Sequence, residues 1–142
     1  MLPKLLVLLA TVGCFQLSSG VKAEDYVVAT LASYHFNRSK DYNERNYGLG
    51  FERTYEDNWR GHAGAYKNSL DRTTAYVLTS YTPWRWGEWH AGGAAGLGTG
   101  YNSRPIGVLV GGFAIREWRN GFGVNVIVHP TALALQIKWS LK

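Results

Sequence analysis

Histidine and serine side chains are the reactive groups that this sequence offers. Of the four His, His35 stands beside Tyr34 and precedes a polar segment, and Ser69 stands in a second polar segment farther along the chain. If the two segments meet, the imidazole takes a proton from a hydroxyl while nearby donors stabilise the oxyanion of an acyl-transfer reaction. We therefore predict His35 and Ser69 as candidate catalytic residues. Ser is also an ordinary turn residue, which is the structural alternative.

The remaining sequence offers no second reactive pattern. It contains no Gly-x-Ser-x-Gly or His-Glu-x-x-His motif and no pair of His at the spacing of metal ligands. His62 and His90 fall inside strand patterns, and we expect them to be polar wall residues that approach no nucleophile. The sequence therefore predicts neither a cofactor nor a metal site.

Composition excludes several classes of protein. The 142 residues are 46% hydrophobic and 14% aromatic, which is too apolar for a disordered chain. The formal charge of +5 is spread over single Lys and Arg residues without a basic run, so no nucleic-acid partner is predicted.

The first residues have the pattern of a targeting segment. Lys4 precedes the apolar run 5–12, and small residues end the segment at Ala23, so we predict a signal peptide over 1–23 with cleavage after Ala23. Lipidation at Cys14 is the alternative. Cleavage would remove the single Cys and leave a mature chain that cannot form disulfides.

Alternation of apolar and polar residues runs through the rest of the chain and is interrupted by turn residues, which is typical of β-strands. No segment shows the 3.6-residue period of a capped amphipathic helix. The sequence predicts eight strands: Tyr26–Phe36, Glu44–Tyr55, Trp59–Lys67, Thr73–Thr82, Trp89–Gly100, Ile106–Arg116, Gly121–His129 and Ala132–Leu141.

The alternation separates large apolar residues from small and polar ones. In the last strand Leu135 falls on one face, and Gln136 and Lys138 fall on the other. A narrow eight-stranded barrel has little room for the large set, so we expect it to face lipid, with aromatic girdles that include Tyr26, while small and polar residues fill the lumen. We predict an all-β, antiparallel, up-and-down transmembrane β-barrel over 24–142. A soluble lipocalin-like or avidin-like barrel with the opposite facing is the alternative.

Strand parity assigns the loops to the two ends of this barrel. If both chain ends lie in the periplasm, the odd-numbered connections face outward and the even-numbered ones, such as 56–58, face the periplasm. The outer rim then collects polar residues from several loops: His35, Asn68, Ser69, Ser103, Arg104 and His129.

Several short motifs resemble one known family. They occur in order as Ala32-Ser-Tyr-His35, Tyr42-Asn-Glu-Arg45, Gly48-Leu-Gly-Phe51, Asn58-Trp59, Lys67-Asn-Ser69 and Thr82-Pro-Trp-Arg85, with Pro130 as the best match in the second half. Together they resemble the lipid A palmitoyltransferase barrels of Gram-negative outer membranes. The most specific piece is Tyr-Asn-Glu-Arg followed by Gly-x-Gly-Phe.

The resemblance implies transfer of a palmitoyl chain from an outer-leaflet phospholipid to lipid A. It also implies a catalytic His at the end of the first strand and an Asp-Ser pair in the second outer loop, which fall on His35, Asn68 and Ser69. Asn at position 68 lacks the carboxylate that orients a His, so Asn68→Asp is expected to keep or raise activity. The chain also departs from the family in its shorter first outer loop, in having no helix before the first strand, and in ending Trp139-Ser-Leu-Lys142.

Two functions follow from these observations. The first is an acyltransferase, or a related lipase-like hydrolase, that acts on phospholipid and lipopolysaccharide at the outer membrane of a Gram-negative bacterium. Glycines such as Gly50 and Gly64 would line a slot for the acyl chain. The second is a non-catalytic small outer-membrane barrel with an envelope or surface-modifying role, whose glycines only let a narrow barrel close. In both cases we expect a monomer.

Overall fold

The computed structural model describes residues 23–101 and 104–142. The predicted signal peptide, apart from Ala23, and the predicted rim residue Ser103 lie outside the described residues. The strands are β1 (Glu24–His35), β2 (Gly48–Glu56), β3 (Trp59–Lys67), β4 (Thr73–Trp86), β5 (Trp89–Gly98), β6 (Gly107–Glu117), β7 (Phe122–His129) and β8 (Ala132–Ser140). Each strand pairs antiparallel with the next, and β1 pairs with β8 to close the barrel. The predicted all-β, eight-stranded antiparallel barrel is therefore confirmed. No helix in the described ranges is long and apolar enough to span a membrane.

Strand β4 is longer than the sequence predicts, because it continues past Thr82 through Pro83 to Trp86. A bulge follows Tyr81, where the ladder with β3 ends. Proline is tolerated at this position because no β3 residue requires a backbone N–H from it. The chain then reverses at Gly87, whose φ of 59° favours glycine.

The predicted facing of the side chains is confirmed along the strands with unbroken alternation. On β8, Leu135 is 40% exposed on the outside of the barrel, whereas Gln136 (8%) and Lys138 (0%) lie inside. The same pattern exposes Leu49 of β2 to 69% and Val108 of β6 to 74%. The outer surface of the barrel is therefore lined by large apolar side chains.

Large apolar side chains also enter the barrel, where the sequence predicts only small and polar residues. Five of them are at most 6% exposed: Tyr26, Val28, Tyr76, Phe113 and Ile115. The prediction that Tyr26 belongs to an outer aromatic girdle is wrong, because it lies on the inward face of β1, and the ammonium of Lys138 is 4.5 Å from its ring centroid. The lumen needs this volume because protein interiors pack without large voids.

Two glycines make room for a tyrosine inside the barrel. Gly50 of β2 pairs with Gly64 of β3, and a Cβ at either position would come within 2.5 or 2.8 Å of the Tyr76 hydroxyl. Gly48 pairs with Tyr66 in the same ladder, so a small residue again lies opposite a large one. At these positions the structure favours close packing of a narrow barrel over an open slot.

Four charged side chains form a closed ring across the inside of the barrel, away from the His35 end. Lys138 Nζ lies 2.6 Å from Glu52 and 2.7 Å from Glu117, and Arg60 lies 3.4 Å from Glu52 and 3.2 Å from Glu117. Asn125 donates a further hydrogen bond of 2.8 Å to Glu52. Two cations and two carboxylates thus neutralise one another, which is how buried charges are tolerated in proteins.

A bulge in β1 reverses the facing of its last residues. Thr30 is buried inside the barrel, the register with β8 shifts between Thr30 and Ala32, and Tyr34 beyond the shift is exposed on the outside. His35 is consequently buried and directed into the mouth of the barrel. Because successive strand residues alternate in facing, the inserted residue decides where His35 points.

Candidate active site at the barrel rim

His35 occupies the last position of β1, at one mouth of the barrel. It pairs with Ala132 at the start of β8, and the N–H of Phe36 donates to the carbonyl of Thr131 with a distance of 3.0 Å. The backbone of His35 is therefore held by the β8 side of the barrel, while its side chain projects into the mouth.

Glu44, in the irregular segment before β2, contacts His35 in two ways. The backbone N–H of His35 donates to Glu44 Oε1 at 2.8 Å, and the same oxygen lies 3.7 Å from His35 Nδ1. On its solvent side Oε1 accepts a 2.6 Å hydrogen bond from Arg38. The N–H of His35, assisted by the Arg38 guanidinium, holds the pKa of the Glu44 carboxyl below its usual range. Glu44 therefore stays ionised beside the imidazole.

Tyr42 covers the imidazole ring of His35. The two rings are stacked, with centroids 4.4 Å apart and an interplanar angle of 28°. Nδ1 of His35 is buried without a hydrogen-bond partner, and among the described residues no side chain or backbone group hydrogen-bonds to Nε2. The ring is thus held between Tyr42 and Glu44, and Nε2, like Nδ1, is without a hydrogen-bond partner in the described residues.

Asn68 has a structural role that uses both ends of its amide. Its Nδ2 donates to Thr74 Oγ1 (3.0 Å) and to the Gly100 carbonyl (2.9 Å), and its Oδ1 accepts from the N–H groups of Leu70 (2.9 Å) and Arg72 (3.1 Å). The side chain is fully buried. The amide thus closes the turn after β3 and is not directed at His35.

Ser69 reaches His35 only through other residues. Within the described ranges no hydrogen bond joins the two side chains, but the carbonyl of Ser69 accepts the N–H of Asn43 at 2.9 Å. Asn43 Nδ2 also donates to the Asn68 carbonyl at 3.1 Å. Because Tyr42 and Glu44, on either side of Asn43, contact His35, the segment 42–44 connects the predicted residues of both loops.

The other histidines occupy different environments. His129 lies at the same end of the barrel as His35 and is exposed, with Nδ1 2.8 Å from Thr131 Oγ1. His90, near the opposite end, has Nε2 3.0 Å from Arg85. Arg104 is exposed in the connection before β6.

The expectation that His62 approaches no nucleophile is wrong. Its Nε2 lies 2.8 Å from Ser80 Oγ, and its Nδ1 lies 3.5 Å from Glu52. The arrangement of Ser80, His62 and Glu52 resembles a Ser-His-acid triad, but all three residues are at most 5% exposed. Glu52 is also engaged by the cations and by Asn125, so these groups form part of the packed interior and not an accessible site.

Glu44 and Tyr42 are the rim residues that the sequence interpretation does not single out by function. They lie within Tyr42-Asn-Glu-Arg45, which belongs to the most specific part of the resemblance. This motif is the feature of the sequence that could have pointed to both residues. Within the described residues no group of three or more His, Cys, Asp and Glu is arranged to hold a metal ion.

Neither a protein-family model nor a curated protein matches this chain. The choice of a function therefore depends on the barrel surface and on the rim residues His35, Glu44 and Tyr42.

Proposed function

We propose that the chain is a small outer-membrane β-barrel that transfers an acyl chain from a phospholipid to lipid A at the outer leaflet, with His35 as the general base. The observation that carries this proposal is the ordered His35 imidazole, which has a carboxylate 3.7 Å from Nδ1 and no protein partner on Nε2 in the described residues. A base with a free nitrogen at the mouth of a barrel is suited to proton transfer from a bound hydroxyl.

The exterior of the barrel supports a membrane location. Leu49, Leu97, Val108 and Val110 are exposed on its outer face. Aromatic side chains are exposed near the strand ends: Tyr34, Tyr47, Tyr81, Trp84, Trp86 and Trp139. An outer surface of exposed apolar side chains with aromatic residues near the strand ends is typical of outer-membrane barrels and unusual on soluble monomers.

The pairing of the strands supports lipid entry from the side. The ladder between β6 and β7 begins at Gly112↔Val128, although β6 itself starts at Gly107. In the described structure, residues 107–111 therefore pair with β5 but have no partner on β7. At the His35 end β6 therefore extends past the end of β7 at His129, and we propose that a lipid chain enters the mouth over this lower part of the rim.

In the proposed reaction, His35 Nε2 accepts the proton of a lipid A hydroxyl while that oxygen bonds to the ester carbonyl carbon of the phospholipid. The tetrahedral intermediate collapses with cleavage of the phospholipid C–O bond, and the imidazolium returns the proton to the departing oxygen. The products are acylated lipid A and a lysophospholipid. Ser69 has no nucleophilic role in this scheme, because no hydrogen bond joins it to His35 among the described residues.

The experiment is mass spectrometry of lipid A from cells that express the wild type, His35→Ala or His90→Ala. His90 lies near the opposite end of the barrel, so its replacement is the matched control. We expect lipid A with one added acyl chain in wild-type and His90→Ala cells, and a loss of about 10²- to 10⁴-fold in His35→Ala cells. Unmodified lipid A in wild-type cells, with the barrel in the outer membrane, would refute the enzyme proposal.

A non-catalytic barrel with an envelope role is the second candidate. Two observations favour it: Asn68 is fully used in closing a turn, and no hydrogen bond links His35 to Ser69 in the described residues. Under this proposal, wild-type and His35→Ala cells have identical lipid profiles, while deletion of the gene changes the sensitivity of the envelope to detergents.

A further inference from the structure

We infer that Glu44 is the positioning residue of His35: its carboxylate keeps the proton of the neutral imidazole on Nδ1 and leaves Nε2 unprotonated. The inference deepens the proposed function, because it specifies how the base of that site is prepared.

The carboxylate of Glu44 is fixed relative to His35 from two directions. Its Oε1 accepts the backbone N–H of His35 at 2.8 Å, and its backbone carbonyl accepts the N–H of Ser33 at 3.0 Å. Both contacts are made to β1, within three residues of the chain. Glu44 is therefore attached to the same strand that carries the imidazole, and the distance of 3.7 Å to Nδ1 is set by the fold.

The stacked Tyr42 ring restricts the rotation of the imidazole. With one face covered at a centroid distance of 4.4 Å, the plane of the ring is fixed, and in this plane Nδ1 lies on the Glu44 side. Nδ1 has no hydrogen-bond acceptor within bonding distance, so a proton on it is stabilised by the charge of Glu44. In enzymes without substrate such contacts are often long and shorten in the complex.

Arg38 and Asn43 keep the rest of the site in place. Arg38 binds Glu44 Oε1 from the solvent side at 2.6 Å and stacks on the exposed Tyr34 ring at 5.0 Å. Asn43 ties the same segment to Ser69. No other carboxylate of the described residues contacts the His35 ring, and the Asn68 amide is directed elsewhere. Glu44 is thus the group that selects the tautomer, as the buried carboxylate does in a Ser-His-Asp triad.

The test is ¹⁵N NMR of histidine-labelled protein in detergent micelles, in alkaline buffer where an ordinary imidazole is neutral. His35 signals are assigned by their loss in His35→Gln. We expect the wild type to show a protonated Nδ1 and an unprotonated Nε2. Glu44→Gln should return His35 to the Nε2–H tautomer that free imidazole side chains prefer, and should lower acyl transfer by up to about 10⁴-fold, as loss of the orienting carboxylate does in a Ser-His-Asp triad.

Two further variants separate positioning from loop structure. Glu44→Asp keeps the charge and should retain the Nδ1–H tautomer with partial activity. Asp41→Asn makes the same change from carboxylate to amide in the same loop, at an exposed residue, and should change neither the tautomer nor the rate. Barrel integrity is checked for every variant by heat-modifiable migration on a detergent gel.

The outcomes distinguish the inference from the function on which it depends. A wild-type His35 that carries its proton on Nε2, or a tautomer that Glu44→Gln leaves unchanged, overturns the role of Glu44 even if acyl transfer is found. If the His35 tautomer changes in Glu44→Gln but not in Glu44→Asp, and the protein transfers no acyl chain, the role of Glu44 is supported and the acyltransferase proposal is refuted. If Glu44→Gln does not fold, the inference is tested by the spectra of the wild type and of Glu44→Asp. A wild-type His35 with its proton on Nε2 is then sufficient to overturn it.

Discussion

The ion pair between Glu52 and Lys138 gives the sharpest stability prediction. Both side chains are completely buried, and the Nζ–Oε1 distance is 2.6 Å. Lys138→Met keeps the length of the side chain and removes its charge. Arg60, at 3.4 Å, would then be the permanently charged cation that remains beside Glu52. Glu117 would lose its contact of 2.7 Å with Lys138.

The expected cost of Lys138→Met follows from the burial of both charges. Removing one partner of a buried ion pair costs about 3–5 kcal/mol, because the other charge remains desolvated. Here Glu52 and Glu117 would both depend on Arg60 for compensation. The pair Arg53–Asp25 is the control: its hydrogen bonds of 2.7 and 2.8 Å are as short, but both side chains are about one-third exposed. Exposed pairs contribute about 0–1 kcal/mol, so Asp25→Asn should have little effect.

The assay is a reversible urea titration of the refolded barrel in lipid vesicles, followed by tryptophan fluorescence. Lys138→Met should lower the free energy of unfolding by at least about 3 kcal/mol more than Asp25→Asn does. The double variant Glu52→Gln with Lys138→Met should lose less than the sum of the two single variants, because contacting partners do not act additively. Equal losses for Lys138→Met and Asp25→Asn would refute the conclusion that the pair is desolvated.

The outer surface and the loops provide three further tests. In a membrane barrel, Leu135→Arg in the middle of β8 should cost about 2–4 kcal/mol, but Leu141→Arg beyond its end only about 0–1 kcal/mol; equal urea midpoints would contradict a lipid-facing surface. A protease site inserted at 68–72 should be cleaved on intact cells, and one at 56–58 only after permeabilisation; the reverse pattern would place the rim in the periplasm. Asn68→Asp should destabilise the barrel by about 1–3 kcal/mol, because a carboxylate oxygen replaces an NH₂ group that donates to a backbone carbonyl. An unchanged midpoint with increased transfer would support the sequence-based expectation instead.

The alternation along single strands makes much of this fold predictable. Side chains along a strand point alternately to its two faces, and this alternation depends only on neighbours in the chain. The sequence therefore predicts the correct faces for Leu135 and Gln136. Turn residues between the alternating segments identified the eight strands. Pro83 misled the interpretation, because its tolerance depends on β3 ending beside it, which the local sequence does not show.

The candidate site was only partly predictable. Residue type and the position at the end of a strand point to His35, but the sequence does not show that the Asn68 amide closes a turn. The sequence does not point to Glu44, because this residue is nine positions from His35 and contacts it only when the first loop folds back on β1. Hydrogen bonding within and between loops is set by tertiary structure, and residue types alone do not report it.

What the sequence determined by itself is therefore local: the strand content and the facing of each unbroken strand. The tertiary structure alone decided which positions meet across the barrel, such as Glu52 and Lys138, which are 86 residues apart. It also decided the direction of His35, because the bulge after Thr30 reverses the facing of the end of β1. The register shift lies in the pairing of β1 with β8, the two strands that close the barrel, and this pairing joins segments at opposite ends of the chain that the local sequence does not relate.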